Sequence, residues 1–174
     1  FASALALIAA YAIGAQFAAE VYFSRAAQAL TLFGNADTAK VFLRRAIDLN
    51  PTDDAYHQGL AQAALTALGQ SVAKAASGAG PEAAREFQVE FAAGIAAAQR
   101  AAAMAPVNPQ HWFVLGQLYE AVIPFIGGAD RAAADAYGQA LANDPTNPVL
   151  RLARARVFLT AAEVAALQAG QTRG

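Results

Sequence analysis

The sequence predicts an all-α chain, and three observations predict it. Hydrophobic residues make up 57% of 174, above the usual ~45–50%, and the excess is alanine, the best helix former. The alternation of β-branched or aromatic residues with polar ones that marks a strand is almost absent. Pro51, Pro106 and Pro145 each close an apolar segment of helical period, so the helices recur as similar units. The chain is long enough for one domain with its own core.

One segment carries the recurrence most clearly. Trp112-Phe-Val-Leu115-Gly116-Gln-Leu-Tyr119 spells W-x2-L-G-x2-Y, and Ala133, Tyr137, Ala140 and Pro145 follow as A-x3-Y-x2-A-x4-P. Together these resemble the tetratricopeptide repeat (TPR), a helix-turn-helix unit of about 34 residues. The resemblance implies a right-handed superhelix of about three repeats and a role in protein–protein contact. With Pro51 at the last proline of a repeat, the first repeat falls at 20–53, the second at 54–108 and the third at 109–147. A terminal helix follows at 148–170, and an apolar segment at 1–19 comes before, so that residues 20–174 make the repeat domain.

The first helix is expected to run from Ala2 to Phe33 without a breaker, Gly14 costing it about 1 kcal/mol. That makes a rod of ~48 Å. Residues 1–19 carry no charge, the first being Glu20; this half is apolar all round and is expected to be buried, in lipid or in protein. Its bulk comes from Leu5, Leu7, Ile8, Tyr11, Ile13 and Phe17. As a helix it spans ~28 Å, close to the ~30 Å of bilayer hydrocarbon, although an alanine-rich segment inserts marginally. No basic stretch precedes it, so it does not read as an intact signal peptide; an opening at Phe1 reads as a fragment or a processed product.

Gly34-Asn35-Ala36-Asp37 then turns the chain, Gly34 suiting a left-handed helix end and Asn35 a cap. Ala39, Leu43 and Ala46 give the second helix its inner side. Thr52 is the expected cap of the third helix, with Asp53 and Asp54 in its first turn, followed by His57, Leu60 and Ala61. Against the repeat, 21 or so residues are extra between Ala64 and Gly94, near six helical turns. Both helices of this hairpin are therefore expected to be longer by about three turns each, meeting at Ser77-Gly78-Ala79-Gly80-Pro81 with Pro81 at the first helical position. The third repeat carries about five extra residues around Ile123-Pro-Phe-Ile-Gly-Gly, where Pro124 and Gly127-Gly128 break the helix. Asn147-Pro148 opens the terminal helix, which exposes Arg151, Arg154 and Arg156 and places Val149, Leu152, Val157 and Leu159 on other faces.

Chemistry is not in evidence. Net charge is −1, from 12 basic and 13 acidic residues, with no basic stripe for nucleic acid. Cysteine is absent, which excludes disulfides and thiolate metal sites and leaves the compartment open. The two histidines, His57 and His111, lie in different repeats and read as surface or packing residues, not ligands. Asp53-Asp54 read as helix N-terminal acids. Glu82, Glu86 and Glu90 read as a solvated face relieved by Arg85, Gly127-Gly128 as a turn with no phosphate motif after it, and Trp112 and Tyr119 as core. The expectation is no enzyme, no catalytic residue, no metal, no cofactor and no small-molecule substrate.

What the TPR resemblance implies about binding is more specific. The concave surface of such repeats is lined by the first helix of each, which here contributes Ser24 and Gln28 from the first repeat, Gln58 and Gln62 from the second, and Phe113, Gln117 and Glu120 from the third. The lining is amide-rich, with no Lys or Arg of the kind that clamps a C-terminal carboxylate. It is expected to accept a neutral amphipathic helix.

A wider resemblance covers nearly the whole chain. It rests on A-E-V-Y-F-S-R-A (19–26), G-N-A-D (34–37), A-I-D-L-N-P (46–51), D-A-Y-H-Q-G-L-A-Q (54–62), I-P-F-I-G-G-A (123–129) and A-Y-G-Q-A-L-A-N-D-P-T-N-P (136–148). These resemble the C-terminal TPR region of bacterial O-antigen-ligase-like membrane proteins, whose catalytic part has no counterpart here. The resulting expectation is an interaction scaffold of the cell envelope or the extracellular space, self-assembling head-to-tail into a filament-like polymer through its apolar helix. The alternative is a TPR adaptor tethered to the membrane through residues 1–19, or an accessory domain of such an envelope protein.

Overall fold

The computed structural model describes residues 2–76 and 80–171, with side chains described for 9–74 and 80–170. Among these residues it holds seven α-helices and no strand: α1 Ala2–Phe33, α2 Ala36–Leu49, α3 Asp54–Ala76, α4 Pro81–Met104, α5 Pro109–Glu120, α6 Ala129–Asn143 and α7 Pro148–Gln171. α1 pairs with α2, α3 with α4 and α5 with α6, and each hairpin stacks on the next through α2–α3, α4–α5 and α6–α7. α1 also touches α3, and α3 touches α5, so the odd-numbered helices form one layer.

Small residues set the spacing of these helices. A Cβ on Gly116 would stand 2.5 Å from Cε1 of Tyr137, and one on Gly94 would stand 2.8 Å from Cδ2 of Leu118. The buried face is largely alanine, with Leu43, Tyr56, Leu68, Leu118, Tyr137 and Val157 as its large members. Alanine lets backbones approach and costs little side-chain entropy on burial.

Local chemistry explains the turns. Gly34 has φ +60°; its N–H donates to Leu30 O at 3.1 Å and the Asn35 N–H to Ala29 O at 2.9 Å, so the left-handed glycine closes the helix and satisfies its last carbonyls. The Asn35 side chain then accepts from the Thr38 N–H at 3.0 Å. At α3 the expected cap is displaced by one residue. The Asp53 carboxylate accepts from the Ala55 N–H at 3.0 Å, while the Thr52 hydroxyl turns back to Asn50 Oδ1 at 2.8 Å. The helix starts at Asp54, so Asp53 is the residue at its mouth.

α1 is unbroken over 32 residues and α2 has 14, so α1 outruns its partner by roughly 27 Å. Within the described residues the expected burial of its apolar half is not met: Tyr11, Ile13 and Phe17 are 77%, 69% and 72% exposed, since α1 here runs past the end of α2. The Leu5, Leu7 and Ile8 side chains lie outside the described residues. No helix among the described residues is long and apolar enough to cross a membrane.

The long hairpin and the inserted loop belong together. α3 and α4 have 23 and 24 residues, against 12 and 15 in α5 and α6. The extra turns of α4 bring out Phe87, next to Phe91. Phe125 of the inserted loop meets the Phe87 ring edge-on at 5.6 Å, and Tyr119 meets Phe91 at 6.1 Å. An extension that bares an aromatic ring is matched by an insertion that covers it.

The glutamate row on α4 is not simply solvated. Glu90 accepts from Lys40 of α2 at 2.5 Å, and Glu86 pairs with Lys74 of α3 at 3.0 Å. Lys40 is buried and also reaches Asp37 at 2.9 Å. Burial pulls its ammonium down, but the hydrogen bonds to Glu90 and Asp37 outweigh that and hold it above its ordinary value.

Candidate interaction surface

The layer of odd-numbered helices carries two cavities. The first, ≈380 Å³, opens between α1 and α3. Its inner wall is Phe23, Ala26, Leu30 and Leu43, and its rim holds Thr31, Gln58, Gln62 and Thr66. The Thr31 and Thr66 hydroxyls are turned onto their own helices, donating to Ala27 O at 2.8 Å and Gln62 O at 3.1 Å, as threonine does inside a helix. The free polar groups at the rim are therefore the amides of Gln58 and Gln62. Gly59 belongs to the wall because a Cβ there would meet Leu43 Cδ2 at 2.8 Å. No ionisable side chain lines this cavity.

The second cavity, ≈360 Å³, is bounded by Leu65 of α3, Gln117 and Glu120 of α5, Ala121 and Pro124 after it, and Arg156 and Thr160 of α7. Glu120 is a hub. The Tyr137 hydroxyl donates to its Oε2 at 2.6 Å. Arg156 grips both oxygens, Nη2 donating to Oε2 at 2.9 Å and Nε to Oε1. Burial first, then Glu120, raises the Tyr137 hydroxyl well above its ordinary value, and the hydrogen bond to Glu120 raises the Arg156 guanidinium. A bidentate fork of this kind is both directional and strong.

Of the side chains expected to line a groove, Gln58 and Gln62 stand at the first cavity and Gln117 and Glu120 at the second. Ser24 and Gln28 are exposed on α1 outside both linings. Phe113 is half-buried, its ring 5.7 Å from Tyr137. Sequence reasoning did not place α7 in this layer, yet Arg156 reaches the surface from it. The signal was available: Asn147-Pro148 follows the last proline of the third repeat as Asp53-Asp54 follows the first. α7 buries Leu150, Ala153 and Val157 and leaves Val149, Leu152, Phe158 and Leu159 exposed. Val149, Leu152, Arg156 and Leu159 recur at spacings of three and four and so share one face.

The histidines do different things. His111 is buried, with Nε2 3.0 Å from Asp54 Oδ2 and 3.1 Å from Asn108 Nδ2, so it joins the start of α3 to the start of α5. Burial first, then Arg100, holds His57 below its ordinary value. Among the described residues no group of three or more His, Asp or Glu is placed to hold a metal ion.

The architecture is that of known structures. The chain superimposes on the Arabidopsis OM64 TPR domain with a TM-score of 0.63 at 19% identity, over 82% of this chain and 96% of that one. It matches the first TPR of Spaghetti (RPAP3), bound to the HSP90 peptide SRMEEVD, with a TM-score of 0.62 at 14% identity, over 84% and 98%. The chain has the tetratricopeptide-repeat fold. No family model matches the sequence, and no curated protein matches it. At these identities the TPR likeness speaks for architecture, and the surface chemistry must be read from this chain's own residues.

Proposed function

We propose that this TPR chain is a non-enzymatic protein–protein interaction scaffold that takes uncharged helices on its concave layer. We propose further that it self-associates through α1. The observation that carries the reading is the pairing of a charge-free apolar cavity between α1 and α3 with a charge-free apolar helix end on the same chain. Tyr11, Ile13 and Phe17 expose more apolar surface than a solitary helix end in water favours, and a second copy can cover it. A solenoid has two unlike ends, so a head-to-tail contact that does not close propagates as a filament. The cell envelope or the extracellular space, as the O-antigen-ligase-like resemblance implies, is where such a polymer would serve. A membrane tether through residues 1–19 is the alternative reading, with lipid in place of a second copy covering the apolar residues of α1.

The test is assembly of the full chain. Sedimentation and negative-stain imaging are expected to show concentration-dependent polymers. The double variant Ile13→Gln/Phe17→Gln removes the apolar side chains, and Ala27→Trp fills the cavity from its exposed edge. Each is expected to leave a folded monomer. Assembly that survives both changes would overturn the reading, as would a wild-type chain that stays monomeric at high concentration.

A further inference from the structure

The two cavities reach neutrality in different ways. The first has no ionisable side chain in its wall, while the second holds one cation and one anion already joined. Arg156 is the one basic residue lining either cavity. We propose that Glu120 is a specificity-determining residue. It occupies the Arg156 guanidinium as an acidic ligand would, and so closes the α7 end of the concave layer to anionic partners.

The geometry favours this over a tie that merely fastens α7. The Glu120 side chain is 13% exposed, and Arg156 is 53% exposed. The carboxylate is held from behind by the Tyr137 hydroxyl, and the guanidinium faces the cavity beside Leu65 and Pro124. A partner carboxylate that took Arg156 would strand Glu120, nearly buried and without its cation, which is the costly way to break such a pair. A partner carboxylate that left the pair intact would meet no free cation and a like charge close by. An uncharged helix pays neither cost. Replacing Glu120 by Gln keeps an acceptor for Tyr137 at the same length and releases the half-exposed guanidinium into the cavity, where it can meet an anion.

The inference rests on the concave layer being the binding face, and its test separates the two. The full chain is titrated against the acidic heptapeptide SRMEEVD and against SRMQQVN with an amidated C-terminus, which carries no carboxylate, with binding read by fluorescence anisotropy. Wild type is expected to show no preference for the acidic peptide. Glu120→Gln is expected to gain about tenfold for the acidic peptide and nothing for the carboxylate-free one. Glu120→Gln/Arg156→Gln is expected to lose that gain. Should Glu120→Gln fail to fold, Glu120→Asp draws the carboxylate back by one methylene and gives a smaller gain of the same sign. A folded variant of either kind with no gain overturns the proposal, as does a gain that persists without Arg156. Neither result touches the assembly test with Ile13, Phe17 and Ala27, which decides the binding face itself.

Discussion

Gly116 is the sharpest place to test the packing of this solenoid. In Gly116→Ala the new Cβ would stand 2.5 Å from Cε1, 2.6 Å from Cδ1 and 2.9 Å from Cζ of Tyr137, where carbon atoms settle at about 3.5–4.0 Å. The ring must retreat by ~1 Å, and it has little freedom to do so. It is fully buried, its hydroxyl is bound to Glu120 at 2.6 Å, and Phe113 lies 5.7 Å away. Overpacking of this sort costs about 1–3 kcal/mol, and a pinned ring calls for the upper end. Alanine returns ~1 kcal/mol of helix propensity, so the net loss is about 2 kcal/mol, or a fall in Tm of roughly 4–8 °C at this chain length. Gly138→Ala is the control. No atom lies within 4 Å of its Cβ position, so propensity acts alone and the variant is expected to gain up to ~1 kcal/mol. Thermal and urea unfolding followed by circular dichroism reads both. In a Tyr137→Leu background the cost of Gly116→Ala should shrink. A Gly116→Ala chain that melts at or above wild type would mean that the ring has room, and the reasoning would fail.

Three further outcomes are expected. Glu90→Ala strands the buried Lys40 ammonium with only exposed Asp37 beside it, costing about 3 kcal/mol, whereas Lys40→Met/Glu90→Leu should be nearly neutral in urea unfolding. Phe125→Ala uncovers Phe87 and should speed amide exchange in residues 81–91 while leaving α5 and α6 protected. Stability should fall at both extremes of pH. Burial, then Glu20, pushes the Tyr56 hydroxyl from 10.0 up to about 12; the unfolded tyrosine ionises first, so stability is lost as pH rises through that window. Raised Lys40 adds a loss of the same sign above 10.5. His57 is held below 6.5, so stability is lost as pH falls from 6.5 through its folded value. Tyr56→Phe should flatten the alkaline limb of a Tm-against-pH curve, and a wild-type Tm unchanged from pH 10 to 12 would contradict the assignment.

The parts of this fold that rest on local chemistry were legible in the sequence. The uninterrupted first helix, the left-handed Gly34 with its Asn35 cap, and Pro81 at a helix start all follow from backbone preferences acting over a few residues. Thr52 was misjudged because capping turns on where a helix starts, and a one-residue shift hands the role to Asp53. The glutamate row on α4 was misjudged for a different reason. Its period fits a solvated face, but Lys40, fifty positions earlier, is brought beside Glu90 only when α2 stacks in the solenoid. Arg156 and Glu120 are likewise 36 positions apart. Pairings across helices are set by tertiary stacking, and no window of a single helix contains them.

That difference bears on the selectivity proposed for the layer of odd-numbered helices. At α1 and α3 neutrality is compositional: Gln58, Gln62 and an apolar wall leave no charge to release, and no single substitution among existing pairs could turn that end toward ions. At α5 and α7 neutrality is a cancellation held by three hydrogen bonds on one carboxylate. Removing one charge there converts the end from neutral to cationic, with the exposed Val149, Leu152 and Leu159 of α7 nearby on the face that carries Arg156. On the proposed reading the same scaffold holds a fixed uncharged seat at one end and, at the other, a seat whose preference hangs on the identity of residue 120. The two ends should respond differently to salt. Binding at the α1–α3 cavity should be insensitive to ionic strength, whereas any acidic ligand captured by Glu120→Gln should weaken as salt screens Arg156.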